Sequence, residues 1–301
     1  IFSQLEFVDI AGLVKGASKG EGLGNKFLSN LYEVDAIIHV VRCFENKNIT
    51  HVEDNIDPIN DIEIIETELM ISDQTKLKNI IENLKKKNKG LKIDLELLNS
   101  LEKAEKKLNE GIFLNQCKFD NNQFKILKNY NFLTLKPFIY ICNVDEESLV
   151  EGNFFSQKVE GYAQEKFCKV LKISAAIESE IALIENISEK EEFLKSIGLH
   201  ETSLSILIRE GYNLLDLITF FTSGPTESRA WSCQSGTDAP NAAAKIHTDF
   251  KKGFIKAEVI SFDDFLEFNG EQSCKDQGKL RYEGKDYIVK DGDIITFRFN
   301  V

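Results

Sequence analysis

The stretch that decides how the chain folds is Asp9-Ile10-Ala11-Gly12-Leu13-Val14-Lys15-Gly16-Ala17-Ser18-Lys19-Gly20-Glu21-Gly22-Leu23-Gly24-Asn25. Leu5, Phe7 and Val8 ahead of it read as a β-strand already under way, so Asp9 to Gly12 place a D-x-x-G at a strand end. A glycine-dense loop follows. In α/β proteins that handle phosphates, an Asp at such a strand end holds Mg2+, usually through water. The Gly lets its backbone N–H approach a terminal phosphate. Asp9 is thus a candidate metal residue and Gly12 a candidate phosphate contact; a plain strand-to-loop turn would use the same residues.

Outward from this stretch the pattern is β-α-β. Residues 36–41 form an apolar run of strand length, and 61–70 carry apolar residues at helical spacing just after Pro58. From Leu77 the period becomes heptad, with Leu77, Leu84, Leu91 and Leu98 seven apart and Ile80, Ile81, Leu101 and Leu108 beside them. Lys87-Asn88-Lys89-Gly90 interrupts that run, which predicts two antiparallel helices in a coiled-coil hairpin. Strand-like runs resume at 138–142 and 170–173. After about Leu217 the βα rhythm is lost: short runs at 254–260, 287–289 and 294–299, separated by Gly and Asp turns, predict a compact mixed sheet of the β-grasp kind.

A length of 301 residues suggests about two domains at roughly 150 residues each. No apolar run approaches the roughly 18 residues that a membrane span needs. The six cysteines are scattered without C-x-x-C pairs, which points to a reducing, cytoplasmic setting. A net charge of −12 argues against a chain coated in nucleic-acid-binding charge. The mean conceals one basic segment: residues 73–131 carry thirteen Lys and Arg against eight Asp and Glu, whereas the segments on either side are acidic.

Asn143-Val144-Asp145-Glu146 follows the second strand, where G domains carry N-K-x-D to read guanine. Guanine offers two adjacent donors that a well-placed Asp accepts together; adenine presents an acceptor at N1, which a carboxylate repels. In N-x-x-E the carboxylate of Glu146 is moved by a methylene, and Val144 lacks the stem of a lysine. Guanine loses its clamp, and groups left unpaired when buried cost about 1 to 3 kcal/mol each. Ser174-Ala175-Ala176 follows the next strand, at the place of a second base loop. Leu13 stands where many GTPases have a Gln that orients the attacking water, so hydrolysis needs another group. Of four histidines, His39 lies within an apolar strand and reads as structural. His51 follows a loop near the C-terminal end of that strand, where α/β proteins place ligands, although a loop histidine is as readily a solvated bystander.

Taken together, the 9–25 stretch closely resembles the switch II region of the YchF family, the Obg-like ATPases. The similarity continues through His39-Val40-Val41-Arg42-Cys43-Phe44-Glu45-Asn46 and, with gaps only in the middle, to the last residue. Lys245-Ile246-His247-Thr248-Asp249-Phe250 with Gly253-Phe254, and the ending from Val289, match that family's TGS signature. Members begin with a strand, a P-loop G-x-x-x-x-G-K-[ST] and a switch I segment, and no such pattern occurs in these 301 residues. The resemblance therefore implies an N-terminally incomplete copy with a complete C-terminus.

The fold so implied is α/β: a P-loop NTPase G domain over 1–72 and 132–216, an inserted helical coiled-coil arm over 73–131, and a β-grasp-like TGS domain over 217–301. The implied activity is Mg2+-dependent hydrolysis of ATP to ADP and phosphate as a switch on ribosomes, with full activity needing the missing P-loop. Asp9 would hold Mg2+ and Gly12 sense the γ-phosphate. Asn143 would face the adenine edge, the Val144 backbone bound the base, and Glu146 be displaced or solvated, while Ser174 and Ala175 supply backbone N–H groups. His51, in Asn48-Ile49-Thr50-His51-Val52, is the catalytic residue the resemblance implies. The implied partner is the ribosome (50S or 70S), with rRNA met through the basic arm around Lys85-Lys86-Lys87, Lys89 and Lys92 and through Lys245 and His247; a coiled-coil exterior that needs charge for solubility explains the arm equally well. The protein is expected to be a monomer with no membrane attachment. Two alternatives stay open: a non-catalytic ribosome- or RNA-binding module, and a GTP-binding protein, the latter disfavoured by Glu146 and Leu13.

Overall fold

The computed structural model describes residues 1–10, 23–46, 56–87, 94–224 and 227–300. They form two compact units, one of residues 8–207 and one of residues 1–7 with 208–301.

The first unit is built on three parallel strands in the order β1-β2-β3: β1 Ile37–Arg42, β2 Phe138–Asn143 and β3 Lys169–Ile173. The central strand is apolar at every position from Phe138 to Cys142, and all five side chains are buried, as expected of a parallel strand covered on both faces. Helices α1 Leu23–Glu33, α2 Pro58–Lys87 and α5 Phe154–Glu165 contribute Phe27, Leu28, Leu31, Ile62, Leu69, Val159 and Ala163 to the core around it.

Helix α2 differs from the sequence expectation. Its 30 residues run without a break, where the spacing suggested a short helix and then a separate arm beginning at 73. No Gly or Pro lies between Pro58 and Lys87, so nothing stops helical propagation. One helix therefore serves two cores. Its first half covers the sheet; its second half packs through Leu77 and Ile81 against Leu101, Ala104 and Leu108 of the antiparallel α3 Leu95–Asn109. Asp94 caps α3 by accepting from the backbone N–H groups of Glu96 and Leu97, and α4 Asn121–Lys128 adds Leu127 to the same cluster. Leu84 and Leu98 are partly buried in the seam, as the heptads predict. At the root of the hairpin the fully buried Asp73 accepts from Leu133 N, Thr134 N and Thr134 Oγ1 at 3.0, 2.7 and 2.7 Å, which ties α2 to the returning chain. Glu66, also buried, accepts from the Tyr140 and Tyr162 hydroxyls and the Lys166 ammonium, joining α2 to β2 and α5.

Helices α6 Ala175–Ala182 and α7 Ile187–Ser196 complete this part of the chain, and α8 Ser203–Leu214 follows. The second unit is a five-stranded mixed sheet: β4 Leu217–Ser223, β5 Ser228–Gln234, β6 Phe254–Ile260, β7 Arg281–Glu283 and β8 Ile294–Phe299, in the order β5-β4-β8-β6-β7. Strands β4 and β8 are parallel; the other pairs are antiparallel. Helix α9 Ala239–Ile246 lies on one face through Ala239, Ala242 and Ala243, whose small side chains let it approach Phe220, Ala257, Val259, Ile295 and Phe297. A hairpin, a covering helix and a central parallel pair make the β-grasp arrangement.

Two strand expectations fail. Residues 287–289 make only an isolated bridge from Ile288 to Asp238: Tyr287 N–H goes to Gly284 O and Val289 N–H to Thr237 O, so a turn and a loop take the donors that a ladder would need. Leu5, Phe7 and Val8 form no strand either. Ile1 pairs with the edge of β5, through its ammonium on Ser228 O and Ala230 N–H on its own carbonyl, while Phe7 and Val8 are 44% and 53% exposed. Alternation specifies a strand only where a neighbour accepts its hydrogen bonds and one face is covered; among the described residues no ladder forms here, and only Leu5 of the three is partly buried. Among the described residues no helix is long and apolar enough to cross a membrane.

Candidate nucleotide site

Three chain segments converge at the C-terminal end of the parallel sheet, the side where open α/β sheets bind ligands. They are the continuations of β1, β2 and β3. Parallel register sets Asn143 beside Ile173, so the 143–146 loop and the Ser174-Ala175 step are neighbours. The Asn143 Oδ1 accepts from Ala175 N–H at 3.2 Å, which clasps the two loops and orients the amide so that Nδ2 is the group left to donate to a purine ring nitrogen.

Val144 is 2% exposed, its side chain sits in the core and its N–H donates to Ile173 O at 2.8 Å. Only its backbone can border a base. Asp145 turns back into its own loop, with Oδ1 accepting from Ser148 N–H at 2.9 Å, whereas Glu146 stands exposed. Neither carboxylate is held as a two-acceptor clamp. Ser174 is 1% exposed, and among the described residues its hydroxyl neither caps α6 nor finds any other partner.

Sequence reasoning missed the residues that hold the third segment. Cys43 N–H donates to Asn143 O at 2.8 Å. Arg42 folds over its own turn, with Nε on Phe44 O, Nη2 on Asn46 O and the guanidinium 4.9 Å from the Phe44 ring. Asn153 donates from Nδ2 to Cys43 O at 2.7 Å and caps α5 through its Oδ1. The signal that could have found Asn153 is its N-x-x-S capping box ahead of a helix.

Of the other expected residues, Asp9 is exposed and makes no hydrogen bond or ion pair to the 143–175 cluster among the described residues. Gly12 and His51 lie outside the described residues. No group of three His, Cys, Asp or Glu placed to hold a metal occurs among the described residues. His39 pairs in register with Tyr140 and lies near Phe138 and Tyr140, its Nδ1 buried without a partner among the described residues. Burial lowers its pKa to about 4 against the opposing pull of the Glu66 charge, so the ring is neutral at neutral pH.

Comparisons with known proteins identify the family and the fold. A family model described as 50S ribosome-binding GTPase matches residues 2–99, and YchF-GTPase_C, described as a protein of unknown function, matches 217–300. The chain is 52% identical over 298 residues to the ribosome-binding ATPase YchF of Haemophilus ducreyi, covering 99% of this chain and 82% of that protein. Identity is 44% to the protein of the same name from Bacillus subtilis, covering 98% and 81%. The solved Schizosaccharomyces pombe YchF GTPase superposes with a TM-score of 0.84 at 34% identity, over 95% of this chain and 78% of that one. A GTP binding protein from Pyrococcus horikoshii, at 22% identity and a TM-score of 0.59 over 91% and 81%, shares the fold. With half its residues identical to a protein whose length it mostly spans, the chain belongs to the YchF family.

Proposed function

We propose that the protein binds ATP in preference to GTP, hydrolyses it to ADP and phosphate with Mg2+, and uses that cycle as a switch in ribosome association. The observation that carries the reading is the Asn143–Ala175 clasp beside an exposed Glu146: the amide nitrogen of Asn143 is left to donate, and no described contact fixes the Glu146 carboxylate beside it. A base with an N1 acceptor fits that edge better than one with two donors. The relatives' names supply the ATPase and ribosome elements.

Asp9 would hold the metal, Gly12 would contact the γ-phosphate and His51 would assist the attacking water. Bound Mg2+ supplies neutralisation of the phosphate charge. The arm meets rRNA phosphates in the same reading, supported by Lys78, Lys106, Lys118, Lys125 and Lys128, all exposed and without an ion pair among the described residues. It also takes the protein as a cytoplasmic monomer. Competition of ATP and GTP for a fluorescent adenine nucleotide in the presence of Mg2+ tests the base reading. ATP should win, and Asn143→Ala should weaken it about tenfold, the value of about one hydrogen bond; tighter GTP binding would overturn it. A second reading, a ribosome- or RNA-binding module without catalysis, would be removed by strong Mg2+-dependent ATP binding.

A further inference from the structure

A cleft of about 750 Å3 lies wholly within the second unit, between the last turns of α8, the start of β4 and the 291–292 turn, and none of the nucleotide-site residues contributes to it. That volume falls within the range of about 300–1,000 Å3 typical of ligand pockets. The Phe221 and Phe262 rings, 5.9 Å apart and inclined at 31°, form its apolar wall. Asp216 and Asp291 contribute two carboxylates, and Arg209 and Asn213 line it from one helix face, four residues apart.

The local backbone explains why these groups are presented. Asp216 follows the end of α8 with φ +51, a left-handed turn that directs the chain into β4, and its carbonyl accepts from Ser235 N–H. Asp291 uses Oδ1 to accept from Thr219 N–H at 2.7 Å, while Gly292 N–H returns to Thr219 O at 2.8 Å. Both aspartates are exposed, and the second oxygen of Asp291 remains available.

We propose that this cleft receives an arginine side chain from an extended basic segment of a protein partner. A guanidinium is planar, stacks on aromatic faces and presents paired N–H donors that match carboxylate oxygens. Phe221 and Phe262 offer the ring faces, and Asp216 and Asp291 the acceptors. The charge at the cleft leans the same way: Asp216 and Asp291 outnumber Arg209 in the lining, and the unit as a whole carries sixteen Asp and Glu against twelve Lys and Arg, which favours a cation over an anion. The cleft is independent of the nucleotide reading and survives its failure.

The test is fluorescence anisotropy with a labelled arginine–serine peptide, its lysine–serine counterpart and a single-stranded oligouridine, titrated with the whole chain. The arginine peptide should bind more tightly than the lysine peptide, and both Asp216→Asn and Asp291→Asn should weaken it by about three- to tenfold. Asn keeps the left-handed turn at 216 and the Thr219 acceptor at 291, so both variants should melt close to the parent. Glu267→Gln, an exposed charge outside the cleft, should leave binding unchanged. The proposal falls if the arginine peptide does not bind, if Glu267→Gln weakens it as much as the cleft variants, or if oligouridine binds and the two Asn variants tighten it, which would make the cleft an RNA surface.

Discussion

The helical hairpin and the C-terminal sheet carry opposite surfaces and hold themselves together differently. The hairpin segment is basic, thirteen Lys and Arg against eight Asp and Glu, and its seam is a leucine strip pinned at the root by the buried Asp73. The second unit is acidic, and its core is aromatic, with Phe220 and Phe297 at 6.0 Å under an alanine-faced helix. The net charge of −12 describes neither surface, because nearly all of it lies in residues 8–72 and 132–207.

The contrast in how the cores are held is open to direct measurement. The largest effect is expected from Phe220→Ala, which empties a fully buried aromatic site and should cost about 3–5 kcal/mol in denaturant unfolding of the C-terminal unit. A loss below about 1 kcal/mol would mean that the aromatic core collapses around the gap. Asp73→Ala should follow at about 2–4 kcal/mol, because two backbone N–H groups and a hydroxyl are left unpaired in a dry site. Hydrogen exchange should quicken at Leu133 and Thr134 first; unchanged exchange there would remove the pin from the comparison.

The smallest of the three effects belongs to the parallel-sheet unit. The pKa of His39 is about 4 in the folded protein against about 6.5 unfolded, so the unfolded chain binds more protons between those values. Its contribution is therefore fully present above pH about 6.5, falls as pH drops through that window and levels off below about 4. With the ring only partly shielded, about 1–2 kcal/mol should be lost between neutrality and pH about 5. Across that range the urea midpoint of the parent should fall relative to that of His39→Phe as the pH drops. Parallel curves would show that His39 takes its proton without penalty.

How far each element was legible follows from the range of the forces that make it. The strand runs at 36–41, 138–142 and 170–173 could be read because burial on both faces demands continuous apolar residues. The hairpin could be read from its heptads, and Asn143 and Ser174 could be located because a loop after a parallel strand lies at a known end of the sheet. Strand β5 was harder to see: Ser228, Arg229, Ser232 and Gln234 give it little apolar signal, and it exists through pairing with β4. Leu5, Phe7 and Val8 had the alternation of a strand but no partner to realise it. Asp73 and Glu66 look like ordinary helix-surface acids, since their donors lie about 60 to 100 residues further along the chain.

The amino-acid order by itself determined the family, the three apolar strands, the heptads of the hairpin and the N-x-x-E in place of N-K-x-D, because these are properties of neighbouring residues and their chemistry. Tertiary structure alone decided that one helix would serve two cores, that Asn143 would be turned by Ala175, and that two aspartates 75 residues apart would share a cleft with two phenylalanines. Those outcomes depend on which distant groups meet when apolar surface is buried, and no local pattern encodes such a meeting.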